Sequence, residues 1–240
     1  MAISSWSHSK LGDFDRCKFL CYLKHDQKIP EPERPLPPGK TEHANDRGTR
    51  YHTNCEDYVL GKTVPLLPDI DRAFGPQLDL LRVLHADGMV SLEGEWGMDD
   101  QWNPTAWKSA WHRCKLDAAV FWSPTEATVI DYKTGRIFGN EIKHGEQMQL
   151  YQLNTFLRHP ELEVVHTELW YLDHAEVRKQ TFTRSQGLRF KSNFDRRGRA
   201  LTTATEFKPN PNKFSCKWCM YGPWGSGHCQ VGVKDGYTKP

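Results

Sequence analysis

The chain has 240 residues, 38% of them hydrophobic and 26% charged, with 32 Lys and Arg against 30 Asp and Glu. That balance fits a globular chain with a sizeable core, and no apolar run nears the roughly 18 residues of a membrane span, so no membrane partner is expected. The opening "MAISSWSHSK" lacks the charged-then-apolar order of a secretory leader. A reducing, cytoplasmic setting is therefore expected, with the seven cysteines serving as metal ligands or buried thiols rather than disulfides.

In chain order, Leu11, Phe14, Cys17 and Cys21 recur at helical spacing and predict a short amphipathic helix. "IPEPERPLPPGK" follows, a proline-rich connector that can be neither helix nor central strand. "DRGTRYHTNCEDYVLGK" predicts a helix capped by Asp46, and "DIDRAFGPQLDLLRVLHAD" a second one, weaker because of Gly75 and Pro76. The period then changes. "GMVSLEGEWGM", and after a Trp-rich excursion "HRCKLDAAVFW" and "EATVIDYK", predict three strands, the last two joined by the turn "SPT". "NEIKHGEQMQLYQLNTFLRH" returns to helical spacing, "VVHTELWYLDH" and "EVRKQTFTR" predict two more strands, and Ser185 to about Thr205 a final helix. This order implies an α/β (α+β) domain with a mixed sheet.

In "ATVIDYKTGR" an apolar strand ends in Asp131, Tyr132 and Lys133 and stops at once in Thr134-Gly135. Strand alternation puts Asp131 and Lys133 on one side and Tyr132 on the other. The short turn makes the preceding strand an antiparallel neighbour, so its Asp117 can converge on Asp131. Two such carboxylates suit a hard divalent cation, Mg²⁺ or Mn²⁺, and Lys133 can orient a water or steady a phosphate. Glu93 or Glu95, on an earlier predicted strand, is a candidate supporting acid.

The ordered set "GTRYH", "KLDAAV", "DYKTG" and "QMQLY" resembles the PD-(D/E)XK nuclease superfamily, in particular its RecB-like branch, which includes CRISPR-associated and phage exonucleases. The resemblance implies a restriction-endonuclease-like core. It also implies that His52, Asp117, Asp131 and the Tyr132 carbonyl hold the divalent ion, and that Lys133, Gln147 and Tyr151 complete the catalytic set with the two acids. Gln147 and Tyr151, four residues apart, share a helix face. The family usually has glycine where this chain has Cys114, which reads as a small packing residue.

Cys216-Lys-Trp-Cys219, with Cys229 nine residues on, suits a soft-metal site that is one ligand short. Relatives in this branch often close a [4Fe-4S] cluster with one cysteine before the core and three after it. In "SHSKLGDFDRCKF" that makes Cys17 the fourth ligand, with Cys21 as its alternative and a zinc site, shared with His228, as the alternative to iron-sulfur. Ten Lys and Arg against two acids between Arg178 and Lys213 form a basic tract. Within it Arg189, Lys191, Arg196, Arg197 and Arg199 are candidates for holding a DNA backbone.

The expected organisation is a cysteine-bearing helix over 1–28, a connector over 29–46, the nuclease core over 47–206 and a cysteine segment over 207–240, the two ends forming a cysteine-clamped subdomain. The expected function is a Mg²⁺- or Mn²⁺-dependent DNA exonuclease acting on linear ends, single- or double-stranded, in recombination or DNA degradation, with a recombination or replication protein as a candidate partner. If phage-encoded, it would work in the host cytoplasm. An endonuclease or junction-cleaving enzyme of the same fold is the alternative, and a catalytically silent DNA-binding or assembly protein the alternative of another class.

Overall fold

The computed structural model describes residues 3–233, so residues 1–2 of the expected N-terminal segment and 234–240 of the cysteine segment lie outside the described residues. The chain divides into two compact units, one of residues 36–192 and one of residues 1–35 with 193–240.

The larger unit is built on a six-stranded sheet in the order β2-β1-β3-β4-β5-β6. Its strands are β1 (Val90–Met98), β2 (Pro104–Thr105), β3 (His112–Ser123), β4 (Glu126–Lys133), β5 (Val164–Tyr171) and β6 (Glu176–Thr183). Every pairing is antiparallel except β4 with β5, which is parallel and needs a crossover. The helix α5 (Glu141–Arg158), after α3 (Ala44–Val59) and α4 (Pro68–Ala86) in the chain, supplies that crossover. The short β2, inside the Trp-rich excursion, carries too few alternating residues to be visible in sequence.

Helices cover both faces. On one, Tyr51, Cys55 and Val59 of α3 and Ile70, Phe74, Leu78 and Leu81 of α4 pack on Val90, Ala118, Val120, Ile130, Tyr132 and Trp170. On the other, Met148, Tyr151 and Phe156 of α5 pack on Trp96, Cys114, Leu116, Ala119, Val129, Val165 and Leu169. The expected mixed sheet with flanking helices is thus the observed one.

One local expectation is corrected and another holds. The α3 helix begins at Ala44 with His43 at its N-cap, and Asp46 lies in its first turn, where a carboxylate still meets the helix dipole. The α4 helix runs unbroken through Gly75 and Pro76, because four buried apolar side chains at helical spacing outweigh the hydrogen bond that proline removes.

In the smaller unit, α1 (His8–Arg16) is capped by Ser7, and α2 (Lys18–Cys21) follows after a break at Cys17, which is extended at φ −165° and ψ 116°. Leu11, Phe14 and Cys21 stay buried while Cys17 leaves the apolar stripe. The predicted final helix is two, α6 (Arg184–Leu188) and α7 (Lys191–Thr202), and α8 (Lys213–Cys216) comes after them. The smaller unit is tied across its two ends: Tyr221 Oη donates to the Ile29 carbonyl at 2.8 Å, Tyr22 stacks on Phe207 at 5.1 Å, and Arg197 pairs with Asp15.

Candidate functional site

The pairing of Ala118 with Ile130, continued one residue, brings Asp117 level with Asp131 across β3 and β4. Strict alternation nevertheless fails at this level. Leu116 packs under α5 whereas Ala118 packs under α3 and α4. Its neighbour β1 switches too, with Leu92 on the α3 and α4 side and Trp96 on the α5 side. At the switch Glu93 has φ +45°, a left-handed conformation that costs a side-chain-bearing residue energy and is concentrated at functional positions.

The switch turns Asp117 toward α3. His52 Nδ1 donates to Asp117 Oδ1 at 3.0 Å, and the backbone N–H of Tyr132 donates to Asp117 Oδ2 at 2.6 Å. The Tyr132 ring lies in the α3 and α4 core, edge-on to His52 at 5.8 Å. One ligand atom each from His52, Glu93 and Asp117 lies within 4.8 Å of the others. These three line an open cleft of about 330 Å³ together with Gly48, Thr49, Thr53, Glu56 and Lys115. Lys115 ion-pairs with Glu93 there.

Asp131 faces α5. It is 2% exposed, and the Lys133 ammonium ion-pairs with its Oδ2. Gln147 Nε2 donates to Asp131 Oδ1 at 3.4 Å and to Tyr151 Oη at 2.6 Å. Apart from the ion-pair contact, Asp131 Oδ2 is a buried acceptor with no hydrogen-bond donor. Burial pushes the Asp131 carboxyl up to about 6, with the charge of Asp117 adding to the effect and that of Lys133 opposing it. Burial pulls the His52 imidazole down, but the hydrogen bond and charge of Asp117, helped by Asp131, outweigh it and hold the ring above its ordinary value.

The structure therefore brings the predicted residues together as two adjoining groups, His52–Asp117 and Asp131–Lys133–Gln147–Tyr151, joined at the Tyr132 amide. Asp131 is not among the three mutually close ligand atoms; Glu93 is. Tyr151 is a core residue, 6% exposed, joined to Asp131 through Gln147. The signal for Glu93 was its β1–β3 register, level with Asp117 between the pairs Leu92–Ala118 and Gly94–Leu116.

The strand stops at Thr134-Gly135 for a visible reason. Gly135 has φ +86°, and its N–H donates to Asp173 Oδ2 at 2.6 Å. Arg47 of α3 holds the same carboxylate from the other side at 2.9 Å. A Cβ on Gly48 would stand 3.5 Å from Thr134 Oγ1, an ordinary contact, so α3 passes next to the end of β4 at the "GTRYH" motif.

The donor set suits a hard divalent ion. Octahedral ligands at about 2.1 Å stand about 3 Å apart in cis and about 4.2 Å in trans, so oxygens and nitrogen already within 4.8 Å need little movement. The carboxylate of Asp131, whose charge acts on His52 and is acted on by Asp117, adds a further acid near them.

In the smaller unit, Cys17, Cys216, Cys219 and Cys229 all line one apolar cavity, of about 20 Å³, with Leu20, Leu23 and Tyr221. The Asn210 N–H donates to Cys17 Sγ and the Asn212 N–H to Cys216 Sγ, each at 3.4 Å. Cys21 does not line the cavity; its thiol donates to the Lys10 carbonyl, and burial pushes it up to about 12. His228 Nδ1 bonds Ser226. Cys114 is buried in the core beneath α5.

The five basic candidates fall in different units, Arg189 and Lys191 in the larger and Arg196, Arg197 and Arg199 in the smaller. Arg197 and Arg199 are engaged by Asp15 and Asp195. Among the described residues no helix is long and apolar enough to cross a membrane.

In comparisons with known proteins, no curated protein matches the chain. Among solved structures, it is similar to the protein SSO0001 at 13% identity and TM-score 0.42, over 96% of this chain and 88% of that one. It is also similar to an alkaline exonuclease from Laribacter hongkongensis at 14% identity and TM-score 0.32, over 83% and 87%. A sequence model of the PD-(D/E)XK nuclease superfamily matches residues 113–224, a stretch that takes in both acid-bearing strands, Lys133 and the Gln147–Tyr151 helix. That stretch, a little under half of the chain, is similar to the PD-(D/E)XK nuclease superfamily.

Proposed function

We propose that the protein is a Mg²⁺- or Mn²⁺-dependent DNA nuclease of the RecB-like type, cutting phosphodiester bonds from DNA ends. The observation that carries the reading is the meeting of three ligand atoms, from His52, Glu93 and Asp117, beside the buried Asp131–Lys133 pair. Bound divalent metal supplies a Lewis acid that neutralises charge on the scissile phosphate and makes hydroxide available near neutral pH. His52, Glu93, Asp117 and Asp131, with the Tyr132 carbonyl, would hold it. Asp131 anchors the Lys133 ammonium, which keeps further N–H donors for an attacking water or a phosphate oxygen. Gln147 fixes Asp131 from the side away from the lysine, and Tyr151 fixes Gln147. Arg189, Lys191, Arg196, Arg197 and Arg199 add positive charge for the backbone.

We also assign Cys17, Cys216, Cys219 and Cys229 as ligands of a structural [4Fe-4S] cluster, with the segments 1–28 and 207–240 clamped together by it. Four thiolates on one zinc ion at about 2.3 Å would stand about 3.8 Å apart. Among the described residues no three of these sulfurs lie within 4.8 Å of one another, which favours a larger group between them. Backbone N–H groups donate to two of the sulfurs, contacts of the kind that tune a cluster's potential.

The test is digestion of end-labelled linear DNA and of circular DNA with Mg²⁺ or Mn²⁺, comparing wild type with Lys133→Ala and Asp117→Ala. Loss of cleavage in both variants, with circular DNA spared by wild type, is expected. Undiminished activity in either variant removes the assigned site, and nicking of the circle makes the enzyme an endonuclease.

A further inference from the structure

Phe138 is 90% exposed and Ile142 91%, more than any other large apolar side chain among the described residues. Both belong to the short segment that leaves the site at Lys133 and returns to it at Gln147, five residues from one and five from the other. An extended five-residue stretch spans at most about 17 Å, so the backbone of each stands within that distance of a catalytic candidate.

The exposure does not come from a slack loop. Ile137 packs into the core beneath α5 while its neighbour Phe138 points out. Asn140 Nδ2 donates to the Arg136 carbonyl at 2.9 Å, the Gly139 N–H to Glu141 Oε2 at 2.7 Å and His174 Nε2 to the Gly135 carbonyl at 2.9 Å. Gly139, at φ +85°, makes the bend between the two apolar residues. The tip is flanked by exposed Arg136 and Lys143, neither of which pairs with an acid among the described residues. An aromatic ring and a branched aliphatic side chain held in water between two available cations match a polyanion whose bases are unstacked: ring on base, guanidinium and ammonium on phosphate.

Resting on the nuclease reading for the scissile phosphate alone, we propose that Phe138 and Ile142 form a tip that takes an unpaired base of the strand being cut, with Arg136 and Lys143 holding the phosphates on either side. The substrate class is then a single strand or a frayed duplex end rather than intact duplex, because a paired base offers its face to its neighbours and not to a protein ring.

The experiment measures fluorescence anisotropy of a labelled phosphorothioate oligothymidylate, and of a labelled blunt duplex, in Mg²⁺. The Phe138→Ala/Ile142→Ala variant is expected to bind the single strand about tenfold more weakly, with an unchanged salt slope. Phe138→Trp is expected to bind within about twofold of wild type, and Arg136→Ala/Lys143→Ala to lower the salt slope. In parallel, hydrolysis of a thymidine p-nitrophenyl phosphodiester, too small to reach the tip, is expected to be unchanged in the double apolar variant. The proposal is overturned if that variant binds the strand as wild type does, if wild type prefers intact duplex or binds no oligonucleotide, or if the tip binds lipid vesicles instead. Tip-dependent binding with no DNA cleavage by wild type would sink the nuclease reading and leave the tip standing. Cleavage with tip-independent binding would do the reverse.

Discussion

The substitution Asp131→Asn is expected to stabilise the metal-free protein at high pH while abolishing its activity. Asp131 is 2% exposed, and burial raises its carboxyl from 3.8 to about 6 even with Lys133 beside it. A folded-state value above the unfolded one means the folded chain holds the proton more tightly between the two. The contribution to stability is therefore complete below about pH 4 and is lost as pH rises through about 6. At roughly 1.36 kcal/mol per unit, about two units give a penalty of about 3 kcal/mol for the ionised side chain at pH 8. The replacing amide is uncharged at every pH, and its carbonyl oxygen can still accept from Lys133. Urea unfolding in EDTA should show the variant about 3 kcal/mol more stable than wild type at pH 8 and nearly equal at pH 4, a rise in Tm of about 6–12 °C at the higher pH. Saturating Mg²⁺ should close the gap by stabilising wild type alone, by about 2.7 kcal/mol at a hundred times Kd. A variant no more stable at pH 8, or a gap of the same size at both pH values, would refute the argument that Asp131 is a strained charge held for a cation.

Four further outcomes follow from the same geometry. Glu93→Gln should weaken Mn²⁺ binding by about 10–100-fold in a calorimetric titration with the fold retained, an effect of the size seen when a group around a metal is lost; unchanged affinity removes Glu93 from the site. Because His52 is held above its ordinary value and must be neutral to ligate, Mn²⁺ affinity should rise from pH 6 to pH 8 with release of a proton, and His52→Gln should flatten that rise. Gly187→Ala should destabilise the larger unit by about 1–3 kcal/mol in chemical denaturation, since its Cβ would lie 2.1 Å from Gln152 Oε1 and 2.6 Å from Phe156 Cδ2. Anaerobically purified protein should absorb near about 400 nm and lose that band on Cys219→Ala but keep it on Cys21→Ser, whereas a colourless, zinc-loaded sample would exclude iron-sulfur.

Most of the sheet could be read from alternation alone, because β1, β3, β4, β5 and β6 each carry enough residues for the period of two to stand out, and α5 announces itself by its apolar spacing. The shared face of Asp131 and Lys133 and that of Gln147 and Tyr151 were readable too, since strand and helix periods fix which side chains share a face, but the contact of Gln147 with Asp131 was not. The choice of Glu93 over Glu95 was not, because a 13-residue excursion separates β1 from β3 and leaves their register open, and because no periodicity reveals a face switch at φ +45°. The α4 helix was readable through Pro76 from its apolar spacing, and burial of Phe74 and Leu78 sustains it. The departure of Cys17 from its helical stripe depends on a backbone break that no side-chain pattern marks.

The smaller unit draws its cysteines from opposite ends of the sequence, with roughly 200 residues between Cys17 and Cys216. During synthesis at about 5–20 residues per second, the first thiol emerges some 10–40 seconds before its companions exist. The intervening 36–192 unit holds its own core and can fold in that interval, so the ribosome delivers a finished sheet before the cavity has walls. A group that filled that cavity would have to arrive last, and an oxidant or stray metal that reached Cys17 early would compete with it during that lag.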